Sequence, residues 1–297
     1  MRLTRTAALT EEALVAMSTR LITVAALIAA ASVCHAQPSA TLLWETEPQL
    51  KGPQSVAFDS VRSAIYVSNA NVSPDGKGGA GFVSVLDTAG AIMTLEWVKG
   101  LRAPRGLALC LGRLYAADVT DLVEIETANP KAVKRYPGPD AQALTDVAVD
   151  RNGMVYVTDR GPKNSGVYRL AAGRFMVWVR QAEIVRPGGI CASSGRIIVG
   201  LPESGDIYGI APTRDLKQIG QVSPGITGMA GDGGSGFFVS GSAGLVSHVS
   251  HERGEQPFLE LTDKGRTPAD IEYVASRRML LVATGAGNTV AAYTLVF

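Results

Sequence analysis

Cysteine, histidine and aromatic residues are scarce in this chain of 297 residues, with three Cys, three His and 6% Phe, Tyr and Trp. Beyond the first 36 residues only Cys110, Cys191, His248 and His251 remain, and none has a partner at metal-ligand spacing, which argues against a structural zinc site. Two cysteines also give no disulfide framework. Without a histidine beside a candidate nucleophile, and with no G-x-S-x-G elbow, serine-type hydrolysis has no basis. Charge of one sign is lacking too: the formal net charge is +1, so neither nucleic acid nor an anionic membrane is expected as a partner. The glycine run GDGGSG (231–236) has no following Lys and no strand-to-helix context, and reads as a hairpin turn.

Long hydrophobic runs are missing with one exception. Arg20 is followed by LITVAALIAAASV and then Cys34-His35-Ala36, an apolar stretch too short to span a bilayer comfortably and ending in small residues that suit a signal peptidase. A secretory signal over 1–36 is expected, with a periplasmic or secreted product and no membrane span after cleavage. Glu11 and Glu12 are out of place in a signal, so the true start is either Met1 or Met17. Removing residues 1–36 takes away Arg2, Arg5 and Arg20 along with Glu11 and Glu12, leaving a formal charge of zero.

What is present is a repeat. Residues 141–180 hold four short β-type segments, DVAVD, MVYVTD, GVYRLA and RFMVWV, split by turn clusters RNG, GPKNSG and AAG. The first of these recurs as SVAFD (from Ser55), GLALC (Gly106), DVAVD (Asp146), GICAS (Gly189), GMAGD (Gly228) and DIEYV (Asp270), with starts 51, 40, 43, 39 and 42 residues apart. A period near 40 residues with four strands per unit marks an all-β, six-bladed β-propeller of four-stranded antiparallel blades. The sixth unit reaches Phe297 with three strands. Thr41–Thr46 (TLLWET) is expected to supply the fourth and close the ring, giving one propeller domain over 37–297.

In a propeller the innermost strands line the axis, so the residues just before each first strand meet at one channel mouth. These are Gln54, Arg105, Thr145, Gly188, Thr227 and Ala269, with Asp146 and Asp270 one step further on. Arg160 and Arg186 are placed near the same mouth, where guanidinium groups would suit a carboxylate or phosphate. The alternative is that the three arginines pair with Asp118, Asp146 and Asp159 and brace the blades. The long loop within the first unit, Ser68–Gly81, between its second and third strands, is either a solvated loop or a cover over one mouth. Trp44, Trp97 and Trp178 fall on outer strands and read as packing.

The blade starts PQSVAFD, LTDVAVD, RPGGI, ITGMAGD and PADIEYV resemble those of the SMP-30/gluconolactonase/LRE-like six-bladed propellers, a layout shared with NHL-type repeats. The resemblance implies a divalent cation, commonly calcium, held at the mouth by a Glu, Asn side chains and an Asp. This chain has Gln54 at the Glu position, Thr145 and Gly188 at the Asn positions and Thr227 at the Asp position. Those residues offer neutral oxygens or none, whereas a hard cation wants six to eight oxygens including carboxylates. Asp146 and Asp270 are weak metal candidates, because neighbouring strand residues point to opposite faces. No cofactor is therefore expected. The expected function is binding of a small polar or anionic ligand, or of a protein partner, at the mouth without metal-dependent catalysis. The alternative is a calcium-type lactone or ester hydrolase.

Overall fold

The structure is a computed structural model that describes residues 38–72, 79–262 and 266–297. The expected signal segment and the centre of the Ser68–Gly81 loop lie outside the described residues. Among the described residues twenty-four strands form six four-stranded antiparallel sheets. Blade 1 is β2 to β5 (Pro53–Asp59, Ala64–Asn69, Gly81–Asp87, Ile92–Leu101), and blade 2 is β6 to β9 (Pro104–Cys110, Arg113–Asp118, Asp121–Glu126, Asn129–Pro137). Blade 3 is β10 to β13 (Leu144–Val149, Val155–Asp159, Gly166–Ala171, Arg174–Val179), and blade 4 is β14 to β17 (Ile190–Ser193, Arg196–Gly200, Asp206–Ile210, Leu216–Gln221). Blade 5 is β18 to β21 (Ile226–Gly231, Phe237–Gly241, Leu245–Ser250, Gly254–Glu260). Blade 6 is β22 to β24 (Pro268–Val274, Met279–Thr284, Thr289–Val296), completed by β1 (Ser39–Glu45). All six first strands read from the sequence are innermost, and the fold is the expected β-propeller.

Burial follows position within the blade. The second strands, such as AIYVSN of β3 and MLLVAT of β23, are buried along their whole length, whereas the outer strand β9 is mostly exposed. Apolar residues on both faces of a middle strand meet the neighbouring blades, so a continuous apolar run is the right pattern there. The hydrophobic clusters lie between blades: one joins Tyr156 and Trp178 of blade 3 to Ile197 and Ile210 of blade 4. Trp44, Trp97 and Trp178 are on outer strands, as expected. Cys110 and Cys191 are free.

Ring closure rests on β1. It pairs antiparallel with β24, with Trp44 opposite Ala292 and Thr41 opposite Thr294. The Thr46 N–H adds a bond to the Val290 carbonyl at 2.9 Å, and Glu45 takes the Thr289 hydroxyl and an ion pair from Arg266. Trp44 also reaches the first blade: its indole N–H donates to the Thr88 carbonyl at 3.0 Å, and its ring covers Gly90. Gly90 has φ +88°, and a Cβ there would stand 2.5 Å from the indole ring. Gly90→Ala combines backbone strain with a clash across the closure, and should cost about 2 kcal/mol. A lower urea midpoint at unchanged slope is the expected reading, and an unaltered midpoint would show that this contact contributes nothing to closure.

Candidate functional site

Strand entry sets the geometry of the mouth. Four of the innermost strands, β2, β6, β18 and β22, open with Pro53, Pro104, Ile226 and Pro268, each paired to the end of the second strand, and the register then shifts. β10 does the same between Leu144 and Val147. Such a bulge re-aims the side chain at the extra residue. As a result Gln54, Thr145, Thr227 and Ala269 are half-buried and Arg105 is exposed, while the following residues Ser55, Gly106, Asp146, Gly228 and Asp270 are all buried. The alternation argued from the sequence does not take Asp146 and Asp270 out of the site, because they line the same cavity as Thr145 and Ala269, one layer deeper.

In blades 1 to 3 the last residue of the second strand holds this entry in place. The N–H of Lys51 donates to Asn69 Oδ1 at 2.9 Å, and those of Arg102 and Ala103 donate to Asp118 Oδ1 at 2.9 and 2.8 Å. Asp159 takes the N–H groups of Gln142, Ala143 and Gly161 at 3.0, 2.8 and 2.9 Å. Asn69, Asp118 and Asp159 are completely buried, and such polar side chains are tolerated there because backbone donors replace their water.

All six strand-entry residues line one cavity of about 590 Å³ at the mouth. Lys51, Asn71, Arg160, Ser242, Thr267 and Asn288 join them, with Asp146 and Asp270 below. Arg186 is not part of this lining. It is exposed, and its Nε lies 3.6 Å from Glu203 Oε1. Arg160 donates from Nη2 to the same Glu203 oxygen at 3.0 Å. The expected alternative partners of the arginines prove wrong: Asp118 pairs with Arg102 and Arg135, Asp159 with backbone N–H groups, and Asp146 with backbone as well. Glu203 has no signal in the strand pattern: it sits in the turn three residues past the second strand of blade 4, and only the packing of that turn beside Arg160 of blade 3 brings the two together.

Arg105 stands apart. It opens to water in the concave mouth, and among the described residues no carboxylate lies within ion-pair distance of it. Desolvation by the surrounding walls and the nearby Arg160 charge both lower its pKa. Two guanidinium groups in one cavity repel, and an anion between them would relieve both effects.

The carboxylates beneath do not supply that anion. The Val147 N–H donates to Asp146 Oδ1 at 2.8 Å and the Ile190 N–H to Oδ2 at 2.9 Å, while the Ile271 N–H donates to Asp270 Oδ1 at 2.8 Å. Burial pushes Asp146 well up, with the Asp270 charge adding to it, and burial raises Asp270 against the Ser55 hydroxyl and the Ile271 N–H. Deeper along the axis, Glu272 accepts from the Phe58 N–H at 2.6 Å, and burial pushes it up to about 8. A metal fits poorly here: the described residues contain no cluster of three or more His, Cys, Asp or Glu side chains suited to hold an ion. Asp146 spends both oxygens on backbone donors, and Asp270 is engaged by the Ile271 N–H and the Ser55 hydroxyl. His248 lies far from the mouth on β20, bonded through Nε2 to Asp232 at 3.0 Å.

No protein-family model matches the chain, and no curated protein matches its sequence. Solved structures do match in fold. A gluconolactonase from Xanthomonas campestris is 16% identical with a TM-score of 0.64, over 89% of this chain and 96% of that one. A catalytically inactive virginiamycin B lyase from Staphylococcus aureus, with quinupristin, is 12% identical with a TM-score of 0.62, over 88% and 99%. A protein of unknown function from Bacteroides thetaiotaomicron reaches 0.65 at 12% identity, over 87% and 76%. At these identities the likeness is one of fold.

The pH dependence of stability follows from Glu272. Its carboxyl stays protonated in the fold up to about 8, against an ordinary value of 4.5. Between these values the folded protein keeps a proton that the unfolded chain has released, so stability falls as pH rises across that window. Glu272→Gln still accepts from Phe58 but cannot ionise. The melting midpoint of this variant should vary less between about pH 5 and pH 8 than that of the unaltered protein; parallel curves would contradict the assignment.

Proposed function

We propose that this protein is an exported gluconolactonase-like propeller that binds a small anionic molecule, a carboxylate or phosphate, at its channel mouth without metal-dependent catalysis. The observation that carries the reading is Arg105, a guanidinium in a walled cavity with Arg160 as its charged neighbour and no carboxylate within pairing distance among the described residues. Lys51 adds a third cation to the lining, and Asn71, Asn288, Gln54 and Thr145 offer neutral polar groups around it. A site of a few hundred Å³ with cations on one side and hydroxyl and amide groups on the others suits a polyhydroxylated acid or a sugar phosphate. Membership of the SMP-30/gluconolactonase/LRE-like family fits the layout of the blade starts and the fold shared with the Xanthomonas gluconolactonase.

The hydrolase reading draws on that same likeness, and calcium would be its cofactor. The donor set argues against it, since Gln54, Thr145, Gly188 and Thr227 bring no carboxylate to the rim and a hard cation depends on such charge. A lyase reading finds no histidine in the mouth lining.

Melting of the purified protein separates these readings. Inorganic phosphate or D-gluconate should raise the midpoint, because a ligand bound only to the folded state stabilises it. The rise should shrink at high salt and be lost in Arg105→Ala, while calcium and chelator leave the midpoint alone. A calcium-dependent rise together with hydrolysis of gluconolactone would replace this proposal with the enzyme.

A further inference from the structure

A second cavity of about 640 Å³ opens between blades 3 and 4, at the opposite ends of their strands from the mouth. Its residues come from the turns that follow β10, β14, β16 and β18, and the mouth residues from the other end of the same strands. The inner wall is apolar and rigid: Tyr156, Trp178, Ile197 and Ile210 are each 6% exposed or less, and the rings of Tyr156 and Trp178 meet edge to face with centroids 4.7 Å apart. The polar wall carries Arg151, Arg169 and Arg196 against one carboxylate, Asp150. Asp150 is already occupied, with Oδ1 taking the Asn152 and Met154 N–H groups at 2.8 and 2.9 Å and Oδ2 taking the Tyr156 hydroxyl at 3.4 Å. Among the described residues Nε of Arg169 and the indole N–H of Trp178 have no acceptor.

The repeat supplies an internal control. In register, Tyr66 of blade 1 corresponds to Tyr156 and Trp97 to Trp178, and the two rings are again in contact at 4.9 Å. There, however, Val85 is opposite Tyr66, whereas Arg169 is opposite Tyr156. On the facing blade Thr127 closes the gap, its N–H and hydroxyl both bonded to the Gly112 carbonyl at 2.9 Å. The corresponding residue of blade 4 is Pro212, which has neither donor. Blade 1 binds its turn arginine as well, with Arg62 on Asp59 at 3.3 Å. The gap between blades 3 and 4 thus differs from its counterpart by an added half-buried cation and a lost seal.

We propose that this cleft is a second ligand site, independent of the mouth, and that it takes a small planar aromatic carboxylate. The ring would lie against the accessible Met154, Ala192 and Pro212, over the closed layer of Tyr156, Ile197 and Ile210, with the carboxylate held by the guanidinium of Arg169 and by Arg151 or Arg196 at the rim. Three cations facing one spent carboxylate favour an anion, and the flat apolar wall favours a ring over a polyol. The volume suits a ligand of this size.

Calorimetric titration of the purified protein with 2-naphthoate, and with uncharged 2-naphthamide, tests it. One naphthoate should bind per chain, with the amide at least about tenfold weaker. Arg169→Val, which installs the residue of blade 1, should weaken naphthoate to a similar degree, and Arg105→Ala should leave it unchanged. Pro212→Thr, which restores the seal of blade 2, should also lower affinity and guards against misfolding of the arginine variant. Equal binding of acid and amide, no binding at all, undiminished binding by both cleft variants, or loss of binding in Arg105→Ala would each overturn the proposal.

Discussion

The way each inner strand enters its blade is the constraint on which the mouth depends. A side chain at the end of the second strand, Asn69, Asp118 or Asp159, takes backbone N–H groups of the incoming segment. The strand then starts with a bulge that turns one residue toward the axis and the next into the protein. Buried groups held by fixed backbone donors leave the chain few other conformations. This local device, repeated around the ring, makes residues from six distant places in the sequence neighbours in one cavity.

The ring immediately below the mouth shows how little room the axis leaves. Its positions are Ser55, Gly106, Asp146, Gly189, Gly228 and Asp270, and a Cβ on Gly106 or Gly228 would collide with the side chain of Asp146 or Asp270. Large residues are therefore interspersed with glycines. The two aspartates serve as inter-strand acceptors in a space where burial disfavours their charge, which weakens them as counter-ions for the cations above. The positive character of the mouth thus has a structural origin beneath it.

A repeat fold also makes departures legible. Where blades agree, the residues concerned build the sheet and the packing between sheets; where one blade differs from its equivalents, chemistry has room to enter. Arg105 is such a departure among the strand-entry residues, and Arg169 and Pro212 are others at the far ends of the strands. The Arg160–Glu203 pair is a further one, formed between the segments that follow the second strands of neighbouring blades.

The amino-acid sequence by itself determined the number of blades, the strands within each, the closure through Trp44 and the six residues that meet at the mouth. All of these depend on periodicity and hydrogen-bond pairing between near neighbours, or on the one strand left without a partner. Only the tertiary structure decided which charges are paired. Glu203 in place of the expected aspartates, the exclusion of Arg186, the inclusion of Lys51 and Asn288, and the upward shift of the Glu272 pKa all follow from distances between blades and from the surroundings of each side chain. Those quantities depend on how side chains from separate repeats meet, and a linear pattern of residue types does not encode them.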